Sequence, residues 1–478
     1  MTILAIAFIS CIVLTSIIFD LSLFLRGPAP YPPDWRWLYN FSAHFNIILF
    51  PIIISFCLIC LIVQFDKNRK FVLSHEKGVL FVFFLGSLLF TFSVLVYGRG
   101  GILVLVQRSI DPVLNSYFEV SQRIHNLGNF LRNYSTQVSS FQNVAKYHPP
   151  AAAIFYWIIS RITNPFSYLF TFLSSFRSSH SDITIAWQQL SLNQKVTSLS
   201  GSFLFILFTH LTVIVLYYLT KVLYGIQSAI RSLLLYIFIP SIILFIPLPD
   251  GMYPFFTALS FYLFIVGIKN KSYAQLVGSG ILMYLGAMFS LQIFVVTIIF
   301  AIYYFSVAGK KSFKYHLKHV LVWICGFLLI PIFLYIVWGF NSITSIFAVM
   351  ANHNSFVFSR KNPLWLIYNY YDFFIFTSIP LAIYFVFHVK DMFQNIFMRR
   401  FTHVNWIFFG FFIMTLFINI LGIMNGETGR TWLAFLPFYI LPMNEYLSKN
   451  KVSFKTMILI YVLQVIQIIV LQTSWVTI

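Results

Sequence analysis

The chain has 478 residues, of which 59% are hydrophobic and only 9% charged, with a mean hydropathy of +0.85. Soluble domains carry charge on about a quarter of their residues, so this composition excludes an ordinary soluble fold and predicts an all-α polytopic membrane protein. The net charge of +19 is dispersed through short loops with no basic domain to carry it, which excludes a nucleic-acid footprint and assigns the charge to membrane topology and anionic headgroups.

Apolar runs are centred near Ile12, Ile54, Ser87, Phe155, Leu169, Leu211, Ile242, Ser260, Ile281, Val296, Ile330, Pro380, Phe412, Pro437 and Leu463. With roughly 20 apolar residues per crossing, they predict about 12 to 15 transmembrane helices. The first run, 3–25, lacks a basic leader and a small-residue cleavage site, so it reads as a retained helix that starts in the cytoplasm. Alternating sides from there places the basic loops 67–70, 221–231, 269–271, 310–318, 390–400 and 449–455 on one face. Their shared charge agrees with a cytoplasmic assignment. The loops 26–43, 99–150, 178–200, 249–252, 339–371 and 425–430 then lie outside the cytoplasm. No repeat of 20 to 50 residues is visible, and the chain reads as one membrane domain without a soluble one. Residues 1–75 form an extra N-terminal helical hairpin, 76–445 a core and 446–478 a C-terminal helix. Cys11, Cys57, Cys60 and Cys325 all lie in apolar runs and read as small core residues rather than metal or disulfide ligands.

Twelve acids are few enough to weigh singly. Asp66, Glu76, Asp391 and Glu445 fall on the cytoplasmic face, where they balance neighbouring Lys and Arg. Asp34, Asp111, Glu119, Asp250, Asp372 and Glu427 fall on the outer face. Asp111 opens Asp111-Pro112-Val113-Leu114-Asn115-Ser116-Tyr117-Phe118 in the one long polar loop. Proline after it disfavours helix, so it reads either as a cap for the helix that follows or as a general base. His148-Pro149-Pro150 closes the loop at a helix entry, where His148 is placed to donate to a phosphate or a sugar hydroxyl. Asp250 sits in Pro249-Asp250-Gly251, which turn chemistry alone explains, yet it offers a carboxylate at the outer face. In Gly426-Glu427-Thr428-Gly429-Arg430, Glu427 and Arg430 either pair with each other or present Arg430 to a phosphate. Trp35 and Trp37, in a proline-rich segment, read as interfacial anchors.

Taken in order on one face, Asp111 to Phe118, His148 to Pro150, the 221–253 segment, Asn362 to Trp365, Asn369 to Phe373 and Gly426 to Trp432 resemble the GT-C class of polytopic glycosyltransferases, in particular bacterial relatives of the protein O-mannosyltransferase family. The pattern departs from that family in Pro112, where Glu is usual, and in Ala151. The resemblance implies a GT-C-like core and inverting transfer of a sugar from a polyprenyl-phosphate donor to a glycan, lipid or protein acceptor. That chemistry would belong to the cell envelope, at the extracytoplasmic face of a bacterial plasma membrane. Asp111 would be the general base. Arg430, His148, Arg99 and Arg108 would stabilise the leaving phosphate. Asp250, Glu427, Asp34 and Tyr117 would contact sugar or acceptor. Some GT-C members use a divalent ion and others do not, and no ligand cluster in the sequence demands a metal. The rival function is a flippase or transporter for a lipid phosphate or polysaccharide, although few charged residues fall deep within the helices.

Overall fold

The computed structural model describes residues 3–27, 37–42, 47–98, 100–174, 181–309, 311–358, 363–398, 403–450 and 452–476. It is 83% helical, as expected where lipid offers the backbone no hydrogen-bond partner. Among the described residues six helices are long and apolar enough to cross a membrane: Leu49–Lys67, Glu76–Tyr97, Leu192–Tyr224, Pro249–Lys269, Phe313–Trp338 and Phe454–Ser474. Four shorter apolar helices, Leu4–Ile18, Ile226–Ile237, Gln292–Ala308 and Trp406–Leu421, accompany them.

Several of the apolar runs do not form single long helices. The run around Leu169 is the 3-10 segment Asn164–Ser174, kinked at Phe170. It exposes Phe166, Tyr168, Leu169 and Phe172 while packing on the helix 192–224. The run around Pro437 divides into the turn Leu433–Phe435 and the helix Leu436–Lys449, which carries Pro442 inside it. Prolines remove amide donors and shorten helices in this way. The cysteines also correct the expectation: all four are exposed on the outward surfaces of apolar helices rather than packed in the core.

Helix 192–224 is the centre of the bundle, packed against 76–97, 226–237, the 249–269 segment and the short helix Ala151–Thr163. The N- and C-termini meet in a two-residue antiparallel ladder, Leu38 opposite Val476 and Tyr39 opposite Trp475. The basic loops gather at one end. Lys221 pairs with Glu76, Arg231 with Asp66 at 3.3 Å and Lys449 with Glu445 at 3.0 Å, while Lys269 donates to the Val222 carbonyl at 2.8 Å.

Helix 313–338 is largely exposed and leans on the helix Tyr273–Ala287. Two glycines permit that contact. A Cβ on Gly280 would lie 2.3 Å from the Trp323 carbonyl, and one on Gly326 would lie 2.3 Å from the Val277 carbonyl. Small residues that let backbones touch are the main adhesive between helices in lipid. Gly326→Val therefore separates helix 313–338 from its neighbour and destabilises the protein by about 1–3 kcal/mol. Thermal melting in lipid nanodiscs would show this as a lowered midpoint, and an unchanged midpoint would mean that the contact is not needed.

Candidate active site

The two ends of the 99–150 loop are stitched together. Asn143 donates to the Pro112 carbonyl at 2.9 Å, and the Ala145 amide donates to Ser116 Oγ at 2.9 Å. Asn115 donates to the Ser109 carbonyl at 2.7 Å and to the Tyr156 hydroxyl at 2.8 Å. Asp111 and His148, far apart in sequence, are thereby fixed against one another. Pro112 holds Asp111 in an extended conformation at the end of the helix Leu103–Ile110.

The Asp111 carboxylate accepts from the Val113 and Leu114 amides, at 2.7 and 2.9 Å, through Oδ1 alone. It caps the 112–114 turn rather than the following helix Ser116–Gln122, which starts after Asn115. Oδ2 takes no hydrogen bond among the described residues. One oxygen orients the group while the other keeps its lone pairs, as a general base requires.

His148 donates from Nδ1 to the Val144 carbonyl at 2.8 Å, and its ring meets Tyr117 edge-on at 5.6 Å. Tyr134 donates to the His148 carbonyl at 2.6 Å. Burial, reinforced by the charge of Arg430 and by His353, pushes the imidazole down to about 4, against the opposing effect of the Val144 hydrogen bond. A neutral ring tied through Nδ1 offers Nε2 as an acceptor, which suits a sugar hydroxyl better than a phosphate oxygen.

Arg108 is buried, and its Nη1 donates to the Leu244 and Ile246 carbonyls, both at 2.6 Å. It ties the 103–110 helix to the chain entering the Asp250 turn. Burial, with the like charge of Arg430 nearby, lowers it to about 10, while Asp111 acts to raise it. The Pro249–Met252 turn expected from its sequence is present as one 3-10 turn. It seats Gly251 so close to helix 192–224 that a Cβ would lie 2.5 Å from Thr209 Oγ1.

Arg430 completes the cluster from the far end of the chain. Its Nη2 pairs with Glu427 at 2.7 Å. Its Nε is buried and makes no hydrogen bond among the described residues. Asp250, Tyr117 and Tyr253 lie within electrostatic range of the guanidinium. Asp111, Arg108, Tyr117, His148, Asp250, Glu427 and Arg430 thus form one neighbourhood drawn from three separated segments. Arg99 and Asp34, the other two expected site residues, lie outside the described residues, as does Trp35.

Sequence reasoning gave no role to Tyr253, His353, Asn369 or Asp372. Tyr253 was signalled by its place three residues after Asp250, and Asn369 and Asp372 by their spacing of three on one helix. Trp37, expected as an interfacial anchor, makes specific contacts inside the fold. Its indole donates to Asp372 Oδ1 at 2.7 Å and packs against Phe376 and Phe245, with ring centres at 4.7 and 5.8 Å. Cavities of about 940 Å³ at residues 64–71 and about 300 Å³ between residues 121 and 197 lie away from the cluster. Among the described residues no three His, Cys, Asp or Glu side chains converge to hold a metal ion. Compared with known proteins, the chain matches no family model and no curated sequence.

Two outcomes follow from this geometry. A Cβ on Gly429 would lie 2.6 Å from the Phe376 side chain, so Gly429→Ala displaces the turn that carries Arg430 and lowers stability by about 1–3 kcal/mol, read as a fall in melting midpoint. Because the folded state holds His148 below its unfolded value of about 6.5, the unfolded chain takes up the proton first on acidification. Stability is therefore lost as pH falls from about 6.5 towards 4. His148→Gln should flatten that part of the stability profile, and an unchanged acid slope would show that the imidazole is not buried as a neutral ring.

Proposed function

We propose that the protein is a membrane glycosyltransferase that moves a sugar from a polyprenyl-phosphate donor to an acceptor hydroxyl of a glycan, lipid or protein at the extracytoplasmic face of a bacterial plasma membrane. The observation that carries this proposal is a carboxylate, Asp111, with one oxygen free of hydrogen bonds among the described residues, and a guanidinium, Arg430, whose buried Nε has no partner there, both within electrostatic range of Arg108. Inverting transfer from a lipid phosphate needs those two groups and little else.

In this mechanism Asp111 Oδ2 takes the proton of the acceptor hydroxyl as its oxygen bonds to the anomeric carbon. The bond from that carbon to the phosphate oxygen breaks on the opposite face, and the polyprenyl phosphate leaves with the electron pair. Phosphate is a good leaving group, so it needs a cation rather than a proton donor, and Arg430 supplies it. Asp250, Glu427 and Tyr117 bind sugar or acceptor hydroxyls, and His148 accepts one through Nε2. Arg108 acts mainly by holding the Asp250 turn, since its Nη1 is occupied by two carbonyls.

Purified protein in lipid, supplied with a panel of polyprenyl-phosphate sugars, should release or transfer sugar. Asp111→Asn, folded and inserted normally, should lose about 100-fold or more in turnover, the usual contribution of a general base. Arg430→Gln should lose a similar factor through the leaving group. Full activity in Asp111→Asn would sink the proposal. Binding of the lipid phosphate without turnover in wild type and variant alike would favour transport instead.

A further inference from the structure

The buried carboxylate of Asp372 lies outside the charge cluster, and the proposed chemistry makes no use of it. It sits on the helix Trp365–Thr377 and takes hydrogen bonds from two distant parts of the chain. Oδ1 accepts from the Trp37 indole at 2.7 Å. Oδ2 accepts from the Gly429 amide at 3.0 Å and from the Thr428 hydroxyl at 3.3 Å. One turn earlier, Asn369 Oδ1 accepts from the Gly426 amide at 3.1 Å, and the Asn369 carbonyl accepts from Thr428 Oγ1 at 2.5 Å. Its Nδ2 donates to Asn419 Oδ1 at 2.8 Å and to the Met424 carbonyl at 3.0 Å.

Between these anchors the backbone is strained. Gly426 and Glu427 are both left-handed, at φ of 86° and 51°, and Glu427 is no glycine. A left-handed non-glycine residue costs on the order of 1–3 kcal/mol and persists only where its surroundings over-determine it. Asn369 and Asp372 supply that determination, and the strained residue is the one that pairs with Arg430.

We propose that Asp372 is a positioning residue, which locks the 426–430 turn so that the Arg430 guanidinium is aimed at the lipid phosphate, and which through Trp37 makes that aim depend on the docked N-terminal segment. The phosphate part of this inference rests on the function proposed above, whereas the locking of the turn does not. Trp37 reaches Asp372 from a segment held by its own contacts: the Trp37 amide donates to the Arg26 carbonyl at 2.9 Å, Tyr39 donates to the Ile18 carbonyl at 2.7 Å, and Tyr371 donates to the Leu25 carbonyl at 2.9 Å. Asparagine at 372 keeps the shape but turns an NH2 group toward at least one of the donors.

The test compares full-length wild type, Asp372→Asn and Trp37→Phe in nanodiscs by peptide-level hydrogen exchange and by binding of radiolabelled farnesyl phosphate. Asp372→Asn should speed exchange over 424–431 while leaving 454–474 protected. It should weaken farnesyl phosphate binding about ten-fold, the scale of one lost hydrogen bond to a charged group. Trp37→Phe should do both in the same direction and to a smaller extent. Unchanged exchange over 424–431, or exchange that rises equally in every segment, would overturn the positioning role. Failure of the wild type to bind farnesyl phosphate would remove the lipid-phosphate reading instead, and the exchange data alone would then decide whether Asp372 locks the turn.

Discussion

The largely buried Arg430 guanidinium, with its Nε sealed from solvent, is the constraint around which this end of the molecule is arranged. A cation taken out of water costs several kcal/mol unless its surroundings repay it. Repayment here is incomplete by contact and completed by field. Glu427 pairs directly, while the Asp250 carboxylate acts through the low-dielectric interior without an ion pair. A side chain satisfied in that way keeps a donor for an incoming anion. Glu427 reaches it only from a left-handed backbone, and that backbone requires Asn369 and Asp372 beneath it. The helix Trp365–Thr377 therefore has a reason to carry two polar residues among so many aromatic ones.

The same economy governs the 99–150 loop. In a chain with so little charge, a polar loop must be tied down by its own side chains, and Asn115, Ser116, Asn143 and Tyr134 do this. They tie the Asp-Pro entry of the loop to the segment just before its His-Pro-Pro exit. Arg108 then joins that loop to the Asp250 turn through backbone carbonyls, so the geometry of Asp250 depends on a residue more than a hundred positions earlier.

Much of this was legible in the sequence, and what was not has identifiable causes. Helical membrane character followed from composition, and the grouping of the basic loops followed from charge alternation, because both depend on how each segment meets water or lipid. Asp111, His148, Asp250 and Arg430 stood out because polar residues are rare in the chain. Helix lengths did not follow, since an apolar run reads alike whether it forms one long helix, a kinked 3-10 segment like Asn164–Ser174, or breaks at prolines like 433–449. Trp37 and Asp372 were visible as residues but not as partners, because their separation of 335 positions leaves no local signal.

The acids of this chain are held in two ways, by ion pairs, as Glu427 is by Arg430, or by dipoles. At the basic-loop end Asp66, Glu76 and Glu445 each meet a lysine or arginine. Such pairs neutralise charge, and the Glu76–Lys221 and Asp66–Arg231 pairs also tie different helices together. At the opposite end Asp111 and Asp372 form no ion pair within 4.0 Å among the described residues, and amides, a hydroxyl or an indole hold them in place. Dipoles orient a carboxylate without cancelling its charge. A carboxylate fixed in that way keeps its capacity to accept, as Asp372 does from the backbone of the Arg430 turn. The ion pairs at the basic-loop end neutralise charge, whereas Asp111 and Asp372 are oriented by dipoles that leave theirs in place.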